Sequence, residues 1–98
     1  MARKTMNRGG MTCRVTFELP AEAGADKVSL CGEFNDWSPD VHLLRRRKDG
    51  SFGVTLSLPS GHAYRYRFLL DGVRWENDWA ADGYVANAYG EEDSLIVL

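Results

Sequence analysis

What the chain has little of narrows it first. Its 98 residues hold two cysteines, two histidines and three prolines, and no apolar run long enough to cross a bilayer as a helix. No apolar stretch follows the basic opening Met1–Gly10, so a secretory signal peptide is not expected there. Two thiols without such a signal read as reduced cysteines of a cytoplasmic protein rather than as a disulfide framework. Concentrated charge is scarce too. The net charge is −2, and the first ten residues carry three basic and no acidic side chains, leaving nine basic against fourteen acidic in residues 11–98. A body with that balance is a poor partner for the phosphate backbone of a nucleic acid, and three cations are too few to hold a membrane surface. We expect a disordered basic leader over residues 1–10 and one folded domain over residues 11–98.

Helical periodicity is missing as well. Ala21–Lys27 contains helix formers but no apolar stripe, and Gly24 interrupts it. What the chain does have is alternation with period two. Met11, Cys13, Val15, Phe17 and Leu19 alternate with Thr12, Arg14, Thr16 and Glu18, and Phe52, Val54, Leu56 and Leu58 alternate with Gly53, Thr55 and Ser57. Tyr64, Tyr66, Phe68 and Leu70 form a third such run, and further strands are expected at Lys27–Phe34, Val41–Arg47, Val73–Glu76 and Ser94–Leu98. Asp49-Gly50, Pro59-Ser60-Gly61 and Asp71-Gly72 punctuate them as turns, with an irregular stretch from Asn77 to Asp93. About seven short strands separated by turn signals make an all-β sandwich. Cys13 shares the parity of Val15 and Phe17, whereas Cys31 has the parity opposite to Val28 and Leu30, so no bridge between them is expected.

Catalytic constellations are also absent. His42 and His62 stand alone, without partners at metal-ligand spacing, no glycine-rich loop opens a helix to cradle a nucleotide, and nothing marks a nucleophile elbow. Carboxylates are plentiful at Glu33 and Asp36, Glu76 and Asp78, and Glu91 to Asp93. Glycoside hydrolysis, however, needs two of them about 5–10 Å apart across a cleft that a sandwich this small has little depth to form. The chain therefore reads as no enzyme, with no metal and no cofactor. Its unusual feature is aromatic: Trp37, Trp75 and Trp79 all lie in or beside polar turn segments rather than in apolar runs. An exposed indole packs on the C–H face of a pyranose while Asn, Asp, Arg and Lys take its hydroxyls. Two other accounts stand beside that one at this point: tryptophans closing one end of the sandwich, or aromatic anchors of a protein–protein interface.

The run Val28-Ser29-Leu30-Cys31-Gly32-Glu33-Phe34-Asn35-Asp36-Trp37-Ser38 resembles the opening motif of family 48 carbohydrate-binding modules. Leu56-Ser57-Leu58-Pro59-Ser60-Gly61 and Tyr64-Arg65-Tyr66-Arg67-Phe68-Leu69-Leu70-Asp71-Gly72, followed by Trp75, are similar to the later motifs in the same order. That family includes the glycogen-binding domain of the AMP-activated protein kinase beta subunit and the early-set domains that precede isoamylases and branching enzymes. The resemblance implies an immunoglobulin-like, early-set β-sandwich that binds α-1,4-linked glucan, glycogen or starch, on one surface. Carried over residue by residue, it implies that Trp37 and Trp75 cradle the sugar and that Arg67, where lysine is common, donates to hydroxyls. It further implies that Tyr89 stands where a leucine enters the glucan curve, and that Glu91 and Asp93 take the late loop's polar positions. Three departures accompany it: Asp93 replaces an asparagine, Trp79 stands where many members have proline, and the turn from Asp71 to Trp75 is one residue longer. One added residue can turn a strand side chain to the opposite face, which would remove Trp75 from the surface. Some early-set domains pack against an enzyme and bind no sugar, so a protein partner remains the alternative to a glucan.

Overall fold

A computed structural model describes residues 2–6 and 10–98. Nine strands occur among the described residues: β1 (Ala2–Met6), β2 (Thr12–Leu19), β3 (Val28–Gly32), β4 (Arg45–Arg46), β5 (Phe52–Pro59), β6 (Ala63–Leu70), β7 (Arg74–Glu76), β8 (Gly83–Ala86) and β9 (Glu92–Val97). They form two antiparallel sheets, one in the order β1-β2-β5-β4 and one in the order β3-β6-β9-β8 with β7 also paired to β6. The sheets pack as an immunoglobulin-like sandwich, and the alternation read in β2, β5 and β6 is the cause. Cys13, Val15, Phe17 and Leu19 meet Leu30, Tyr66, Phe68, Leu70 and Ile96 in one buried core. Phe17 anchors it, with its ring 5.0 Å from Tyr66 and 5.8 Å from Phe34. A buried Phe contributes about 1.5–3 kcal/mol, so this row alone decides which faces of the sheets turn inward.

Three elements differ from expectation. Residues 2–6, expected within a disordered leader, pair with β2 from Ala2↔Phe17 to Met6↔Cys13. Lys4 is on the inward parity but at the sheet edge, where it reaches across to the Asp82 carboxylate and the Val97 carbonyl. The other part of that leader, residues 7–9, lies outside the described residues. The strand expected over Val41–Arg47 is shorter because the chain changes sheets there. Leu43 bridges Ser29 of β3, Leu44 is buried, and Arg45–Arg46 then pair with Gly53 and Phe52 of β5. The stretch expected to be irregular contains β8, whose burial alternates by residue on the sheet edge.

Residues 77–82 are held by a polar network at the core's end. The Tyr66 hydroxyl donates to the fully buried Asp78 carboxylate at 2.6 Å, the Asp78 N–H donates to the Ser94 hydroxyl, and the Tyr84 hydroxyl donates to the Asp78 carbonyl. Burial, reinforced by the hydrogen bond to Asp78 and the charge of that carboxylate, pushes the Tyr66 hydroxyl's pKa upward. Cys13 and Cys31 are both buried and unbridged. Burial raises the Cys31 thiol's pKa, and the nearby Asp40 charge raises it further.

Candidate functional site

The inward residues of β6 leave Arg65, Arg67 and Leu69 pointing out of the second sheet, and this outer face is the floor of an open groove of 770 Å³. That volume lies within the range of small-ligand sites. All six residues implied by the resemblance line it: Trp37, Arg67, Trp75, Tyr89, Glu91 and Asp93. Glu33, Arg65 and Asn87 line it as well. Arg65 could have been found from its parity with Arg67 on β6, and Glu33 from its place in the turn before Trp37. Asn87 carried no signal beyond being an asparagine between two strands.

Trp37 reaches the groove through a turn that the sequence builds with unusual backbone angles. Asp36 and Trp37 both have positive φ, 54° and 60°, which costs a residue with a Cβ about 1 kcal/mol or more. Local bonds hold that geometry. The Asn35 side chain accepts from the Gly32 N–H at 3.0 Å and donates to the Leu30 carbonyl at 2.8 Å, while the Trp37 N–H donates to the Gly32 carbonyl. Gly32 is required by close approach: a Cβ there would lie 2.7 Å from the Arg65 carbonyl oxygen and 2.9 Å from the Tyr66 Cβ. The Glu33 carboxylate accepts from the Arg65 backbone N–H at 2.7 Å, tying the same turn to β6.

Trp75 remains on the groove side. The longer turn is absorbed by Asp71, Gly72 and Val73, with positive φ at the first two and Val73 82% exposed. Trp75 thus pairs with outward-facing Leu69. Its ring lies 5.5 Å from the Arg67 guanidinium, and 43% of the residue is exposed. Beneath it the Arg67 side chain is only 12% exposed, donates from Nη1 to Glu91 Oε1 at 3.1 Å, and has a buried Nε with no acceptor among the described residues. Trp79 lies outside the groove, exposed, with its Nε1 donating to Glu76 at 3.3 Å.

The loop between β8 and β9 makes the far wall. Asn87 organises it: Oδ1 accepts from the N–H groups of Tyr89 and Glu91 at 3.0 and 3.1 Å, and Nδ2 donates to Asp93 Oδ1 at 3.1 Å. Gly90, with φ 79°, lets the chain turn back. This geometry holds Tyr89 at the tip, 88% exposed. Asp93 lines the groove from β9 but is only 6% exposed, so its carboxylate serves the Asn87 contact more than the solvent. Among the described residues no group of three or more His, Cys, Asp or Glu is placed to hold a metal ion, and no helix is long and apolar enough to cross a membrane.

Over 73 residues, 74% of its length, the chain is 33% identical to the 5'-AMP-activated protein kinase subunit beta-2 of Mus musculus and, equally, of Homo sapiens. The chain spans 25% of the length of those subunits. It is also 39% identical over 59 residues to an alpha-amylase of Niallia circulans, covering 58% of this chain and 4% of that protein. Residues 5–92 match the family model described as the glycogen recognition site of AMP-activated protein kinase, and the chain belongs to that family of carbohydrate-binding modules.

Proposed function

We propose that this domain is a non-catalytic module that binds α-1,4-linked glucan of the glycogen or starch kind in the groove on its second sheet. The observation that carries the reading is that two half-exposed tryptophans, Trp37 and Trp75, line one groove together with Arg67. The indoles supply flat apolar platforms for the sugar's C–H faces, and polar groups at the rim supply hydroxyl partners. Tyr89 stacks from the loop tip, Arg67 and Glu91 meet hydroxyls, and Asp93 contributes mainly by holding the loop. Each of the groove's carboxylates already has a partner: Glu33 the Arg65 N–H, Glu91 the Arg67 guanidinium, Asp93 the Asn87 amide. Two buried free thiols suit a reducing compartment, and we place the module in the cytoplasm. A shallow groove binds short oligosaccharides weakly, and a polymer that engages several copies binds far better.

The test is native electrophoresis with and without glycogen in the gel, wild type beside Trp37→Ala. Retardation of the wild type that the substitution abolishes is the expected result. A folded wild type that migrates freely through glycogen overturns the glucan reading and turns the groove's aromatics into candidates for a protein interface.

A further inference from the structure

The groove's charges are matched in opposed pairs, and this bears on which glucans it accepts. Arg67 Nη1 lies 3.1 Å from Glu91 Oε1, and Arg65 Nη1 lies 4.0 Å from Asp93 Oδ2. Glu33, the third carboxylate, is bound to backbone rather than to a cation. Three carboxylates against two guanidiniums leave the lining with one formal negative charge. A phosphate monoester is recognised by arginines or clustered N–H groups free to form charge-assisted hydrogen bonds. Here each guanidinium of the lining already faces a carboxylate, and Arg67 is further covered by the Trp75 ring.

α-Glucans occur in two chemical forms that these charges would separate: neutral chains, and chains bearing phosphate monoesters on glucose hydroxyls. Resting on the glucan reading above, we infer that the groove selects neutral glucan and rejects phosphate-bearing glucan, and that Glu91 is the specificity-determining residue. Glu91 is singled out by position. Asp93 is buried and bound to Asn87, and Glu33 is bound to β6, whereas the Glu91 side chain is 59% exposed and occupies the end of Arg67 that a phosphate would need.

The size of the effect follows from Coulomb's law. A phosphate carrying about −2, held about 6 Å from a single negative charge in water, binds about tenfold more weakly than the neutral sugar at low ionic strength. Screening over about 8 Å at physiological salt reduces this to a few-fold.

The experiment titrates tryptophan fluorescence with maltoheptaose and with maltoheptaose bearing one glucose 6-phosphate, at low and at high salt. Wild type is expected to prefer the neutral ligand about tenfold at low ionic strength, with the preference shrinking as salt rises. Glu91→Gln is expected to bring the ratio to about one or below, since it removes the repulsion and leaves Arg67 able to meet the phosphate. Glu92→Gln, which removes the same charge from outside the groove, should shift the ratio less than Glu91→Gln does and should match wild type at high salt. Because the ratio is read, a loss of affinity common to both ligands does not imitate the effect. Equal or tighter binding of the phosphorylated ligand by wild type overturns the inference alone, as does an unchanged ratio in Glu91→Gln. Wild type that binds neither ligand overturns the glucan reading and this inference with it.

Discussion

Replacing Trp75 with alanine removes a platform whose worth can be worked out from its exposure. The residue is 43% exposed, which for an indole side chain of about 250 Å² leaves about 100 Å² open to solvent. A pyranose lying on one face covers about half of that, and about 50 Å² at about 25 cal/mol per Å² is about 1.3 kcal/mol. Affinity should therefore fall about tenfold from the lost area alone. The substitution also uncovers the Arg67 guanidinium, 5.5 Å from the ring; that contact exists without ligand, so its loss, about 0.5–1 kcal/mol, should show in folding stability rather than in affinity. Trp75→Phe keeps a smaller ring on the same face and should fall between wild type and Trp75→Ala. Isothermal titration with maltoheptaose measures the affinities, and thermal melts by circular dichroism establish that each variant is folded. A folded Trp75→Ala protein that binds within twofold of wild type would refute the assignment of this ring to the sugar.

The loop and the acid limb of stability give two further tests. Asn87→Ala removes three hydrogen bonds that shape the β8–β9 loop; at about 0.5–1.5 kcal/mol each, less where solvent competes, it should cost about 1–2 kcal/mol in urea unfolding and several-fold in affinity. Amide exchange at Tyr89 and Glu91 should quicken, and unchanged rates there would show that the loop keeps its shape without Asn87. Asp71 accepts from the N–H groups of Lys27 and Asp26, which together hold its carboxyl below the usual range. A folded-state pKa depressed in this way adds stability above the unfolded value of about 3.9, which is lost as pH falls through the folded value. Asp71→Asn should accordingly show a flatter decline of melting temperature below about pH 4 than wild type, and identical acid limbs would contradict that account.

The parts of this protein legible in its sequence are those where one face of a strand is buried. Val15, Phe17, Tyr66 and Phe68 announce their strands because inward positions must be apolar and outward ones need not be. The same parity put Arg67 on the outer face, and Trp37 and Trp75 stood out as tryptophans in polar turn segments before the resemblance matched them to sugar contacts. Edges were harder. Ala2–Met6 and Gly83–Ala86 are outermost strands, so neither carries a full alternating apolar row, and β8 holds only Tyr84 and Val85 as large apolar residues. Asn87 escaped notice for a different reason: its work is done by two hydrogen bonds within its own loop and one to Asp93 of β9, and such contacts leave no periodic mark. The length of the Asp71–Val73 turn left the orientation of Trp75 open, since counting residues cannot tell an insertion that shifts register from one that loops into solvent.

The close packing at Gly32 has a consequence for how the groove meets a ligand. Only a hydrogen atom separates the turn that carries Trp37 from the strand that carries Arg65 and Arg67, so wall and floor are closely packed against each other on that side. Ligand binding in the proposed groove should then involve little ordering of the protein on that side, and the heat-capacity change should track the apolar area covered. If the groove holds a glucan as proposed, the entropy lost on association should fall mainly on the saccharide, whose glycosidic torsions would have to settle into one bound shape. A saccharide whose torsions already suit the groove would meet that requirement at lower cost.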